Sequence, residues 1–531
     1  MAAGPALAQS TTNPVPIYDD LGEHTYEITT DSDRAQAYFN QGLRLYYAFN
    51  HAESIRAFDA AIEQDPDCAM CWWGIGLAYG PNINMAMDPV SAGQALEHTR
   101  EAVALRNRTT PKERMLIDAL AVRYSDDPSA DRATLDRAYA DALAGVAARY
   151  PDDIEVAALY AEALMDLSPW DYWTKSGAPK EHTETLLGQL ENVLERNPNH
   201  PGANHFYIHA VEAVDPQRAV AAAERLAGLM PGAGHIVHMP GHIYIRVGRY
   251  EDAVTANVHA VHADETYISD QRPSTSVYVA GYYPHNYDFL AFAASMIGDR
   301  KRAVEAAGKV SDLVPVDMMG EEGMYFLQNY YTRPLQMMVR FSMWEEILSG
   351  SMREDAYPFE KMMWHYARGR AQTAMGSLEA ARNEFNAMMS IASSGVFDEV
   401  SFEFNSAKLV ADIAVNVLAG HIAAAAGHME TAIGRLQNAA DLEDTMIYGE
   451  PPEWSVPVRQ EYGRVLLAAD RPAEAERAFR EDLDRFPENP WSLYGLSLAL
   501  EAQGRTEAAA DVRKRYEQGW KGETDLSLTA R

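Results

Sequence analysis

Gly42 and Gly76 stand 34 residues apart, and Phe58, Ala61 and Pro66 fall between them before Trp72, Ile75 and Tyr79 open the next unit. A pattern of small and large residues at that period limits the chain to helix pairs that bury their apolar faces on neighbouring pairs. Small residues let two antiparallel helices touch, and large ones fill the space around the contact. The late proline, which has no amide donor, ends the second helix. The pattern returns at Gly241, Tyr244, Ala253 and Ala260, and again at Pro284, Ala291, Ala303 and Pro315. Later copies fall at Gly369, Ala381 and Phe385, at Gly420, Ala432, Leu436 and Ala439, and at Gly463, Ala475, Phe479 and Pro487. Runs rich in Ala, Leu and Glu alternate with breaks at Pro, Gly and Asn, and no alternating strand pattern intervenes. The expected fold is therefore all-α.

The order of Trp72, Ile75, Gly76 and Tyr79, with the alanine, phenylalanine and proline positions around it, resembles the tetratricopeptide repeat (TPR). The resemblance implies a right-handed superhelical solenoid of TPR-like helix pairs, similar to exported bacterial TPR-repeat proteins. It implies segments at 33–107 (N-terminal repeats), 108–197 (divergent hairpins with an inserted loop), 198–316 (histidine-rich repeats) and 317–523 (C-terminal repeats). Residues 1–32 read as a truncated signal and leader, and 524–531 as a tail. Such a scaffold hosts many activities, so function must come from particular residues.

Nine of the 16 histidines lie between residues 200 and 285. His205 and His209, like His238 and His242, are four apart, so each pair shares one helix face, and His235 is expected on the same helix as the second pair. In peptide-binding TPR proteins, positions two, five, nine, twelve and thirteen of each first helix face the concave groove. By that resemblance His205, His209, Glu212, His235, His238, His242, Arg246, His285 and Asp288 line it. Neutral imidazole suits zinc, copper or iron, and a carboxylate can complete the shell. The expected metal ligands are His205, His209, His238 and His242, with His235, His285 and Asp288 as secondary candidates. Glu212 is a candidate ligand, positioning partner or general base. Simple packing at helix contacts and a metal-free groove are the competing readings. Trp73, Asn82, Asn84, Arg246 and Tyr287 are candidates for holding a peptide, protein or small-molecule ligand in that groove. His200, His259 and His262 are expected in solvent.

The net charge is -32, from 77 acidic and 45 basic residues, a field that repels nucleic-acid phosphate and anionic lipid. No run is read as reaching the roughly 18 apolar residues of a membrane span. Ala6-Leu7-Ala8 before Gln9 has the small-x-small form of a signal-peptidase site, so a periplasmic or secreted location is expected. Cys68 and Cys71, the two cysteines, suit a redox pair, a soft-metal site or small apolar fillers. Phosphate-loop, nucleophile-elbow, H-E-x-x-H and dinucleotide motifs are absent. The sequence thus points to a solenoid binding a ligand in a histidine-lined groove with a transition metal. A metal-dependent hydrolytic or redox enzyme and a metal-free interaction scaffold are the alternatives.

Overall fold

The computed structural model describes residues 15–127, 129–273, 276–321 and 323–523. Among the described residues the secondary structure is helical, with three isolated bridges and no strand. The Ala6-Leu7-Ala8 motif and the 524–531 tail lie outside them. The chain forms two compact units. The N-terminal unit runs to Ile243 and takes in Val258–Tyr283; the C-terminal unit comprises Tyr244–Asn257 and the chain from Pro284 onward.

The N-terminal unit begins with α1 (Asp33–Tyr47), α2 (His51–Gln64), α3 (Ala69–Ala78), α4 (Pro89–Leu105) and α5 (Pro111–Ala121). It continues through α6 (Arg132–Arg149), α7 (Ile154–Met165), α8 (Thr183–Arg196) and α9 (Pro201–Val211). Each helix packs on the next, the signature of stacked helix pairs, and α1 also touches α9. Starts are set by caps: Asn50 accepts from the Glu53 amide, and Thr110 and Glu113 form a reciprocal capping box. The repeat spacing has a direct steric cause. A Cβ at Gly42 or at Gly74 would stand 2.6 Å from the Phe58 ring, so only glycine lets both helices close on it. In the C-terminal unit Phe479 sits in the same way between Gly463 and Gly495.

Residues 15–32, read as leader, are instead part of the N-terminal unit. Leu21 is buried. The Tyr26 amide donates to Asn40 Oδ1 at 3.1 Å, the Ile28 amide to Gln36 Oε1 at 3.0 Å, and the Tyr18 hydroxyl to Glu53 at 2.9 Å. Cys68 and Cys71 form a disulfide that closes the start of α3.

After α10 (Val220–Leu226) the helix expected to carry His235, His238 and His242 is broken in two: α11 (Gly234–His238) and α12 (Pro240–Arg246). The break falls at Met239, because Pro240 cannot donate to the preceding turn. α13 (Tyr250–Gln271) follows.

In the C-terminal unit, helices such as Pro358–Ala374, Leu378–Ala392, Ala407–Ala425 and Met429–Glu443 again pack in sequence. Ala407–Ala425 overturns the expectation of no membrane-length run: its 19 residues are long and apolar enough by length and composition. Helices Pro358–Ala374 and Met429–Glu443 pack on it and 61% of its apolar stretch is buried, which fits the core helix of a helical stack.

Candidate metal centre

α9 presents His205 and His209 one turn apart, α11 presents His235 and His238, and α12 begins with His242 two residues after its proline. Glu212 caps the end of α9. None of these six side chains belongs to a residue more than 3% exposed. The histidines therefore line an enclosed centre and not an open groove.

The centre has an inner and an outer layer. His205 Nε2 lies 3.1 Å from His209 Nε2 and 3.2 Å from His235 Nε2. Two imidazole nitrogens about 2.1 Å from one metal, at angles between octahedral and tetrahedral, stand roughly 2.9–3.4 Å apart, so the spacing suits a shared ion. His238 Nε2 and His242 Nε2 form a neighbouring pair at 2.9 Å, where one proton between them suffices. Behind them, Glu212 accepts from two rings at once: His209 Nδ1 at 2.9 Å and His242 Nδ1 at 2.6 Å. A carboxylate that fixes the far nitrogen of a ligating histidine sets its tautomer and raises its basicity.

The tautomers can be read from these partners. A backbone carbonyl only accepts, so His205 Nδ1, 2.7 Å from the Tyr47 carbonyl, must carry the proton. Glu212 is held ionised: burial raises its carboxyl, but His242 and His209 outweigh that and bring it below the ordinary range. His209 Nδ1 therefore donates as well. Burial pushes His205 well down, helped by neighbouring His209, and pushes His209 down despite the pull of Glu212. Both rings are thus neutral, and two bare Nε2 lone pairs face each other across 3.1 Å.

Another group of potential ligands, His24, Glu155 and His200, fails the same test. His200 Nδ1 accepts the Ala203 amide at 3.1 Å, so its proton is at Nε2, 3.3 Å from Glu155 Oε2. His24 Nε2 meets the same oxygen at 3.1 Å, and the Tyr47 hydroxyl donates to Glu155 Oε1. This is a satisfied carboxylate inside the fold. It also corrects the reading of His200, which is buried and caps α9; His259 and His262 are exposed, as expected.

Around the inner histidines stand Phe49 and Trp170, which the sequence reading did not single out, together with Tyr282. Phe49 packs on His205, His235 and His209 with centroids 4.5, 5.5 and 6.3 Å away. Its backbone is left-handed at φ 55°, at the turn position where Gly298, Gly376, Gly427 and Gly504 take the same conformation in later pairs. A bulky side chain there is strained, and the three imidazoles it covers supply the reason. Trp170 meets His209 edge-on at 4.9 Å and donates its Nε1–H to Asn84 Oδ1 at 3.0 Å. Asn84 Nδ2 in turn donates to the Tyr282 hydroxyl at 3.0 Å, and the Tyr282 ring lies 4.6 Å from His235. Asn84 thereby ties two of the rings beside the centre to each other.

Trp73 is buried within α3, and Asn82 is buried with its Nδ2 3.3 Å from His51 Nδ1. His285, Asp288, Arg246 and Tyr287 belong to the C-terminal unit. Asp288 is taken up by Arg333, at 2.8 Å from Nε and 2.9 Å from Nη2, and so is lost as a ligand. His285 Nδ1 lies 3.4 Å from the Tyr330 hydroxyl, and Arg246 Nε lies 3.6 Å from Glu450. Of the five groove candidates, Trp73 and Asn82 are buried in the N-terminal unit and Tyr287 is buried in the C-terminal one, whereas Asn84 is exposed beside the histidine centre.

Residues 30–79 and 463–523 match the tetratricopeptide repeat family. Those segments contain the two glycine–phenylalanine clamps, and the chain is an all-α fold of TPR-like helix pairs. No curated protein matches its sequence. Among solved structures, the human IFIT1 dimer with m7Gppp-AAAA aligns at 13% identity over 93% of this chain and 96% of that one, with a TM-score of 0.34. The APC/C hetero-tetramer Cut9–Hcn1 aligns at 12% identity over 91% and 76%, with a TM-score of 0.30. Scores this low bear on neither ligand nor partner.

Proposed function

We propose that this chain is a metal-binding TPR-like protein holding one transition-metal ion, zinc, copper or iron, at His205, His209 and His235. His238 and His242 complete or flank the site, and Glu212 positions His209 and His242. The observation that carries this reading is the approach to 3.1 Å of the Nε2 atoms of buried His205 and His209, whose protons the Tyr47 carbonyl and Glu212 draw to Nδ1. Two lone pairs at that distance repel, and a shared cation turns the repulsion into two bonds. The bound metal would polarise a ligand or activate a water, while Glu212, which faces the Nδ1 side of His209 and His242, would position those rings rather than serve as the base expected from the sequence. An exported location belongs to the same proposal, and the Cys68–Cys71 disulfide supports it, since such bonds persist in oxidising compartments.

Elemental analysis of the purified chain and of a His205→Ala/His209→Ala variant tests the reading, with helical circular dichroism as the control for folding. The expected result is one transition metal per chain in the wild type and none in the folded variant. No metal in the wild type after incubation with zinc, copper and iron salts would sink the metal reading and leave a metal-free interaction scaffold.

A further inference from the structure

A cavity of about 450 Å³ lies in the N-terminal unit, apart from the histidine centre, and is of a size that small-molecule sites take. Its deep surface is apolar and buried, formed by Leu21, Leu45, Ala48, Ala233, Val237 and Ala263. Tyr18, Tyr267 and Tyr278 supply aromatic walls, and exposed Asp20 and Asp270 supply carboxylates at the solvent side. Among the described residues no lysine or arginine lines it.

The three phenols are held by a second layer of negative charge. Tyr18 and Tyr267 donate their hydroxyls to the two oxygens of buried Glu53, at 2.9 and 3.1 Å. Tyr278 donates to Asp264 Oδ1 at 2.7 Å and accepts the His235 amide at 3.2 Å. Arg56 offsets Glu53 at 2.5 Å from outside the lining. The rings are thus fixed in place, their protons are spent on carboxylates, and electron-rich faces remain for the cavity. A neutral apolar molecule would gain only from the floor. A cation gains from aromatic faces, from Asp20 and Asp270, and from the acidic layer behind.

We propose that this cavity binds a small organic monocation, an ammonium group on an apolar body, with the charge toward Asp20 and Asp270 and the hydrocarbon toward Leu45 and Val237. The site is independent of whether a metal occupies the histidine centre. Calorimetric titration of the full chain with choline and with its neutral isostere 3,3-dimethylbutanol tests it. Choline is expected to bind once per chain, about tenfold or more tighter than the isostere, the scale of a desolvated cation–aromatic contact. Asp20→Asn/Asp270→Asn is expected to remove most of that preference, and Ala263→Phe, which fills the cavity, to abolish binding. Equal binding of the two isosteres, no choline binding at millimolar concentration, or full choline binding by a folded Ala263→Phe variant would each overturn the proposal. Should Ala263→Phe lose its helicity, the double asparagine variant, altered only at exposed residues, still decides.

Discussion

The two units meet their buried carboxylates with different partners. In the C-terminal unit arginine takes part each time: Arg333 grips Asp288, and Arg370 holds Glu461 bidentately at 2.8 and 3.0 Å, with His421 Nε2 also 3.0 Å from Glu461. In the N-terminal unit Glu155 and Glu212 are met by imidazoles, although Arg123 still serves Asp136 and Asp166. The difference matters because guanidinium is a donor only. It locks a carboxylate and has nothing left to give. An imidazole that donates one nitrogen to a carboxylate turns a lone pair the other way, and His205 and His209 turn theirs toward each other. The arginine pairs read as architecture and the histidine centre as a place for a cation.

Removing a guanidinium should therefore hurt stability and spare metal binding. Arg333→Ala leaves Asp288 buried and unpaired, and is expected to destabilise the C-terminal unit by about 3–5 kcal/mol in denaturant titration while metal content stays unchanged. Loss of metal in that variant would erase the contrast between the units.

The units should also answer pH in opposite directions. Burial pushes His51, in the N-terminal unit, down to about 4. The unfolded chain takes its proton near 6.5 and the folded one does not, so this contribution is present above 6.5 and lost as pH falls toward 4. Burial pushes Glu443, in the C-terminal unit, up to about 7 despite Arg485. Its contribution is present below the ordinary carboxyl value and lost as pH rises through about 7. Each amounts to roughly 3 kcal/mol at full extent. Hydrogen exchange by mass spectrometry, corrected for intrinsic rates, should show protection near α2 falling on acidification and protection near residues 429–443 falling on alkalinisation. The same sign in both places would break the comparison.

Glu212→Gln sharpens it further. The amide keeps the shape but loses the charge that fixes both Nδ1 protons, so metal affinity should fall about 10–100-fold with helicity intact. Unchanged affinity would mean that Glu212 only packs. The smallest effect is expected from Asn84→Ala, within about 0.5 kcal/mol of wild-type stability. Because Asn84 ties Trp170 to Tyr282, metal release into a chelator should nonetheless quicken, and an unchanged release rate would remove that role.

Helix pairing was legible in the sequence because glycine and phenylalanine at a fixed period have one steric use, which Phe58 between Gly42 and Gly74 makes concrete. The clustering of His205, His209, His238 and His242 was legible for a similar reason, since residues four apart must share a helix face. The inner place of His235, 3.2 Å from His205, was not legible, because it depends on how α11 packs against α9 rather than on spacing within one helix. Phe49 could have been found by asking why a turn position held in later pairs by small or polar residues, Gly298, Gly376, Ser342 and Asp470 among them, carries a phenyl ring. The enclosure of the centre was not legible: it depends on α1 touching α9 and on residues 15–32 packing down, contacts between segments that no local pattern records.

X-ray absorption at the zinc edge of the zinc-loaded full chain reads the ligands of the bound ion. The account predicts at least three imidazole nitrogens at about 2.0–2.1 Å, falling in number when His205 and His209 are replaced by alanine. A zinc shell of oxygens alone, or one unchanged in that variant, would contradict it.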